Sequence, residues 1–155
     1  MAKSHSNTVV GWREWASLPG IGVPWIKAKL DTGARSSVVH AFEVSELDGG
    51  GVRFLLRPWQ RSLEDVVEVE CAVHDRRLIR SSSGHTERRF VVLLDVQLCG
   101  QIVSAETTLS NRDLMGFRML IGRQALRQGF IVDSARSYLG GKAPKPVRRR
   151  NRDRA

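Results

Sequence analysis

The sequence predicts a mainly β protein, a barrel or folded sandwich with one short helix near its C-terminal end. Three observations predict it. Short apolar or alternating segments recur along the chain, divided by glycine-rich or polar turns. Val67, Val69, Cys71 and Val73 fall on one face with Glu68 and Glu70 between them, the period of two that marks a half-buried strand. Only the stretch Arg123 to Gln128 has the composition of a helix, about two turns long.

The elements follow in order. Thr8 to Trp15 mixes β-branched and aromatic residues and reads as a first strand. Leu18 to Val23, closed by Pro24, is too rich in Gly and Pro for a helix. A strand from Trp25 ends at Asp31, and Ser37 to Phe42 forms the next. Asp48-Gly49-Gly50-Gly51 is a turn, Val52 to Leu56 is a strand that stops before Pro58, and residues 59–65 are a polar loop. Arg76 to Arg80 and Arg88 to Leu98 flank Ser81 to Glu87 as a hairpin with a small-residue tip. Cys99-Gly100-Gln101 turns the chain into Ile102 to Leu109, and Asn111 to Asp113 is a polar break. Met119 to Ile121 is a short buried run, and Gly129 suits a helix C-cap. Phe130 to Val132 and Tyr138-Leu139 are read as final strands.

Size and charge narrow the classes. The 155 residues suffice for one domain with a core, assigned to residues 1–140. The net charge is +9, but residues 141–155 hold seven of the 25 basic residues and one of the 16 acids. That tail therefore carries +6 and the body only +3. With two prolines and no apolar period the tail is expected to be disordered, and any contact with nucleic acid is expected through it alone. Two cysteines, Cys71 and Cys99, make no disulfide framework and fit a reducing compartment. The first ten residues lack the apolar core of a signal peptide and no run approaches a membrane span, so the expected location is cytoplasmic, away from membranes.

The stretch Lys29-Leu30-Asp31-Thr32-Gly33-Ala34-Arg35 carries the chemistry. It sets a carboxylate at the end of a strand, followed by residues suited to a tight turn. Met119-Leu120-Ile121-Gly122-Arg123 lies far downstream, Gly122 standing 91 positions after Asp31. Asp31 is either a catalytic carboxylate or an ordinary turn residue; Asp-Thr-Gly alone does not decide. Asp133, in Val132-Asp133-Ser134-Ala135, lacks the glycine and reads as a turn residue.

Ala28 to Ser37 and Met119 to Leu126 resemble the two signature segments of retropepsin-like aspartic proteases. The wider chain, over residues 9–141, resembles a bacterial branch of that superfamily labelled "ATP-dependent zinc protease". The segments that carry the likeness are Gly11 to Trp15, Lys29 to His40, Arg77 to Arg89, Leu109 to Met115, and Met119 to Leu126. The resemblance implies a closed β barrel that forms a homodimer, each subunit giving one Asp31 to a shared site that hydrolyses peptide bonds. It implies a catalytic set of Asp31, Thr32 and Gly33, with Leu120, Ile121, Gly122 and Arg123 supporting the loop. It also implies that Ala34 and a flap tip at Ser83, Gly84 and His85 face a peptide or protein substrate. His85 is equally readable as a solvated loop residue. Members of this branch resemble partners of ATP-grasp peptide ligases, which suggests a functional link to such a ligase and a role in trimming protein tails.

One position departs from the viral enzymes. They place an acid shortly after Asp-Thr-Gly to pair with the arginine of the downstream segment; here Arg35 stands there, opposite Arg123. Glu14, Glu43 and Asp113 are the acids considered as partners for these cations. The label's metal and nucleotide find no motif: there is no His-Glu-x-x-His, no Cys-x-x-Cys and no phosphate-binding loop. Cys71 and His74 have a two-ligand spacing, but Cys71 lies on an apolar strand face, so no metal and no cofactor are expected. Two other classes stay open, a non-catalytic peptide-binding barrel and a nucleic-acid binder acting through the tail.

Overall fold

The computed structural model describes residues 7–59, 65–80, 84–111 and 116–151. Eleven strands account for most of it. They are β1 (Thr8–Gly11), β2 (Arg13–Leu18), β3 (Val23–Leu30), β4 (Ser37–Glu46), β5 (Gly51–Leu56), β6 (Val67–Ala72), β7 (Asp75–Arg80), β8 (Thr86–Leu98), β9 (Gln101–Ser110), β10 (Met119–Ile121) and β11 (Phe130–Asp133). The helices are α1 (Arg123–Leu126) and α2 (Lys145–Arg150).

Side-chain alternation explains the sheet. Along β8, Val92, Leu94, Val96 and Leu98 are buried while Leu93, Asp95 and Gln97 are exposed. Val52, Phe54 and Leu56 do the same on β5. Such faces need a partner, and closure supplies one: strands β2, β3, β10, β4, β9 and β8 pair in that order, and β8 returns to β2. Six strands thus close a barrel around Ile26, Val39, Val96, Met119 and Ile121, all almost fully buried. β5 and β6 extend the sheet from the outer part of β4, and β7 pairs along the first half of β8. A separate parallel pair joins β1 to β11.

The architecture is the closed, mainly β barrel expected, with local differences. The first predicted strand is two, broken at Trp12, and Pro19–Ile21 forms one 3-10 turn. Tyr138-Leu139 is not a strand: Tyr138 has a φ of 56°, its N–H donates to the Arg13 carbonyl at 3.0 Å, and that of Leu139 to the Glu14 carboxylate at 2.9 Å. The basic stretch expected to lack order forms α2. Pro144 caps it, Pro146 sits in its first turn, and the Asn151 amide closes it on the Val147 carbonyl at 2.8 Å. Ala143 and Asn151 are both buried.

Glu14 is the main tie between the barrel and the returning C-terminal segment. It is completely buried, and its two oxygens accept the backbone N–H groups of Gly11 at 2.7 Å, Leu139 at 2.9 Å and Gly140 at 3.0 Å. Burial first, and the Glu14 carboxylate beside it second, push the Cys99 thiol up to about 11. Arg13 lies over the rings of Trp12 and Tyr138, 4.7 and 5.0 Å from their centroids, and fastens the same segment from outside.

Candidate active site

The site is built where β3 ends. β10 lies between β3 and β4, parallel to the first and antiparallel to the second, with Ile121 opposite Leu30 and Leu120 opposite Val38. The loop from Asp31 to Ser36 must therefore cross over the end of β10. Its anchors are backbone groups. Asp31 N–H donates to the Ile121 carbonyl at 2.8 Å, Arg123 N–H to Ala34 at 2.8 Å, and Gln124 N–H to Arg35 at 2.9 Å. Below them the buried Ser37 hydroxyl accepts the Gly122 N–H at 3.1 Å.

Gly122 permits this crossing. Its backbone angles suit any residue, but a Cβ there would sit 2.5 Å from the Ser36 carbonyl oxygen and 2.9 Å from that of Ala34. Both obstacles are main chain and cannot swing aside. Gly33 serves the loop differently, its N–H donating to Asp31 Oδ1 at 2.8 Å. This bond fixes one carboxylate oxygen. Among the described residues no other hydrogen bond reaches the Asp31 side chain, which is half-buried.

Arg123 resolves the two-arginine puzzle. Its guanidinium donates to the Thr32 carbonyl at 3.0 Å and the Gly33 carbonyl at 3.2 Å, so it braces the loop without an acid. Glu14, on β2 opposite Ala28, is engaged by backbone N–H groups, Glu43 is exposed, and Asp113 lies outside the described residues. Arg35 has no ion pair among the described residues. Asp133, read from sequence as a turn residue, is the last residue of β11, opposite Gly11; its Oδ1 accepts the Ala135 N–H at 2.9 Å and its Oδ2 lies 3.5 Å from the Arg136 guanidinium.

Ile121 and Arg123 thus bond to the loop of Asp31, Thr32, Gly33 and Ala34, Gly122 lies against Ala34 and Ser36, and Leu120 pairs with Lys29 and Val38. Thr32 is exposed. The hairpin of β7 and β8 forms with Arg80 opposite Thr86. Gly84 and His85 are exposed near its tip, Ser83 lies outside the described residues, and no described hydrogen bond or ion pair joins His85 to the Asp31 loop. At the hairpin's base Arg77 donates to Asp75 at 3.0 Å and to Glu106 at 3.2 Å, and that first bond holds the Asp75 carboxyl below its usual range. His74 lies 3.6 Å from Glu106. Among the described residues no three His, Cys, Asp or Glu side chains are grouped so as to hold a metal, and no helix is long and apolar enough to cross a membrane.

Sequence reasoning missed three features. They are the Ser37 hydroxyl beneath Gly122, the Glu14 carboxylate spent on backbone N–H groups and not on an arginine, and Gln124, whose Oε1 accepts the Glu106 N–H at 2.8 Å. The close spacing of Gly11 and Glu14 was the one available hint, since a carboxylate three residues on can fold back to a backbone N–H.

A six-stranded closed barrel with an Asp-Thr-Gly loop laid across a short inserted strand defines the retropepsin-like class. Residues 9–143 match the family described as retropepsin-like aspartic endopeptidase RimB, and the chain belongs to this RimB-like family. Curated relatives carry another name. A probable alpha-L-glutamate ligase of Shewanella pealeana is 41% identical over 89% of this chain, and one of Desulfotalea psychrophila is 38% identical over 94%. The chain spans only about a third of their length, 31% and 32%. The crystal structure of protein Lpg0085 from Legionella pneumophila, of unknown function, is similar with a TM-score of 0.72 at 27% identity, covering 87% of this chain and 99% of that one.

Proposed function

We propose that the protein is an aspartic endopeptidase whose dyad is formed by Asp31 of two identical subunits. The observation that carries this reading is the Asp31 carboxylate, held on one oxygen by the Gly33 N–H in a loop braced by Arg123. Among the described residues no other bond reaches that carboxylate, which leaves it available to a reactant. One chain supplies one such group, and Asp133 at the end of β11 is engaged by the Ala135 N–H and Arg136, so a second copy supplies the other.

The chemistry follows from two carboxylates at hydrogen-bond distance. They cannot both ionise cheaply, so the pair keeps one proton. The ionised carboxylate takes a proton from a water molecule, which attacks the peptide carbonyl carbon. The protonated carboxyl donates to the carbonyl oxygen. The resulting tetrahedral species then breaks its C–N bond as a proton passes to the leaving nitrogen. No covalent enzyme intermediate is needed. The hairpin of β7 and β8 serves as a flap that shields this chemistry from bulk water. The names of the curated relatives support a substrate in the same setting, namely a chain to which a peptide ligase has added glutamate, trimmed by this peptidase.

The test is cleavage of a diverse peptide library that includes glutamate-rich members, from acidic to neutral pH. The wild type is expected to cleave with a bell-shaped pH profile, and Asp31→Asn to be slower by roughly 10²–10⁴-fold. A verified dimer that shows no Asp31-dependent cleavage at any pH contradicts the proposal.

A further inference from the structure

Beside the Asp31 loop lies a cleft of about 240 Å³ lined by Arg35, Arg123, Arg127, Gln124 and Glu106. Three arginines and one acid line it. That carboxylate is already engaged, with Arg77 at 3.2 Å and His74 at 3.6 Å. Gln124 is occupied too, its Oε1 with the Glu106 N–H and its Nε2 with the Ser104 carbonyl. Arg123 spends one nitrogen on the Thr32 and Gly33 carbonyls. Arg35 and Arg127 are exposed and take part in no ion pair among the described residues. The cleft is therefore left with unspent positive charge and a surplus of N–H donors.

We infer that this cleft is the subsite that binds an acidic side chain of the substrate, with Arg35 and Arg127 as its specificity-determining residues. Guanidinium groups suit this role because their planar donor pairs match a carboxylate oxygen for oxygen. Position fits as well. Arg35 follows Asp31 by four residues, and Arg123 touches the carbonyls of the two residues next to Asp31. Four residues of chain span at most ~14 Å, and an extended peptide advances ~3.3 Å per residue, so a peptide with its scissile bond over Asp31 comes level with Arg35 within about four residues. The placement rests on the peptidase reading above; the chemistry of the cleft does not. It also gives the Arg35 departure a purpose. Where the viral enzymes carry an acid, a cation here turns the position from a partner of Arg123 into a second binder of anions.

The test separates binding from cleavage. Full-length Asp31→Asn protein is titrated with a fluorescent glutamate-rich peptide and with its glutamine isostere, at constant ionic strength. The glutamate peptide is expected to bind at least about tenfold tighter, and Arg35→Gln and Arg127→Gln each to lower that preference roughly three- to tenfold. Arg35→Lys is expected to restore part of it, because charge remains while the planar donor pair is lost. Arg149→Gln, which removes one exposed charge from α2, is the control and is expected to leave the preference intact. Equal affinity for the two peptides overturns the inference, as does an equal loss on Arg149→Gln, which would assign the effect to net charge. A preference that depends on Arg35 and Arg127 without cleavage by the wild type leaves the cleft standing and removes the peptidase reading. Asp31-dependent cleavage without any preference does the reverse.

Discussion

Glu14→Ala is expected to destabilise the fold by about 3–5 kcal/mol, read as a lowered denaturant midpoint. The carboxylate is wholly buried and satisfies three backbone N–H groups, of which that of Gly11 is itself buried. Alanine removes both acceptor oxygens, and with them three hydrogen bonds, and opens a polar cavity among the donors. Leaving a buried donor unpaired costs ~1–3 kcal/mol, and water can reach the Leu139 and Gly140 groups to offset part of that. Glu14→Gln discriminates the cause. The isostere keeps the volume and one acceptor oxygen but turns an amide N–H₂ toward a backbone donor, so its cost is expected nearer 1–3 kcal/mol. A change below about 1 kcal/mol for alanine would show that the C-terminal segment does not depend on this carboxylate.

Gly122→Ala is expected to cost about 3 kcal/mol or to displace the Asp31 loop, lowering the melting temperature by about 10 °C. The added methyl would stand 2.5 Å from the Ser36 oxygen, nearly 1 Å inside ordinary contact, and the loop that would have to retreat carries Asp31 at its other end. The same substitution therefore couples stability to catalysis. Calorimetry of the variant beside its cleavage rate checks both, and an alanine variant with wild-type melting and wild-type rate would refute the crossing as described. Gly84→Ala differs in kind. Its φ of 85° strains any side chain, yet no atom of the described residues lies within 4 Å of its Cβ, so no displacement of the Asp31 loop is expected from it.

The contrast between these glycines shows how much of the site was legible in the chain. Strands with a clean alternation, such as β6 and the second half of β8, were readable because one face meets the core and the other water. Met119-Leu120-Ile121 was readable as a short buried run before a glycine. Its slot between β3 and β4 was not, because those pairings join residues about eighty to ninety positions apart and close the barrel. Tyr138 and Leu139 have side chains common in strands, but their N–H groups go to Arg13 and Glu14, partners that only the fold brings near. The tail, residues 141–155, was also read from composition, and within it Lys145–Arg150 form a helix. Charge and proline argued against order, while proline at the start of a helix pre-sets its first turn and yields α2. Arg123 was expected to need an acid, because pairing by charge is what a sequence suggests. Two main-chain carbonyls meet the need instead.

The central claim is a dyad shared between two copies of Asp31, and subunit mixing tests it most directly. Wild-type and Asp31→Asn chains are unfolded together, refolded at varied ratios and assayed on a peptide that the wild type cleaves. If each site needs one Asp31 from each subunit, activity follows the square of the wild-type fraction, so equal mixing leaves about a quarter of it, since one carboxylate alone cannot both activate water and donate a proton. Activity that falls in direct proportion to the wild-type fraction, leaving half at equal mixing, would place a complete site in each chain and contradict the account.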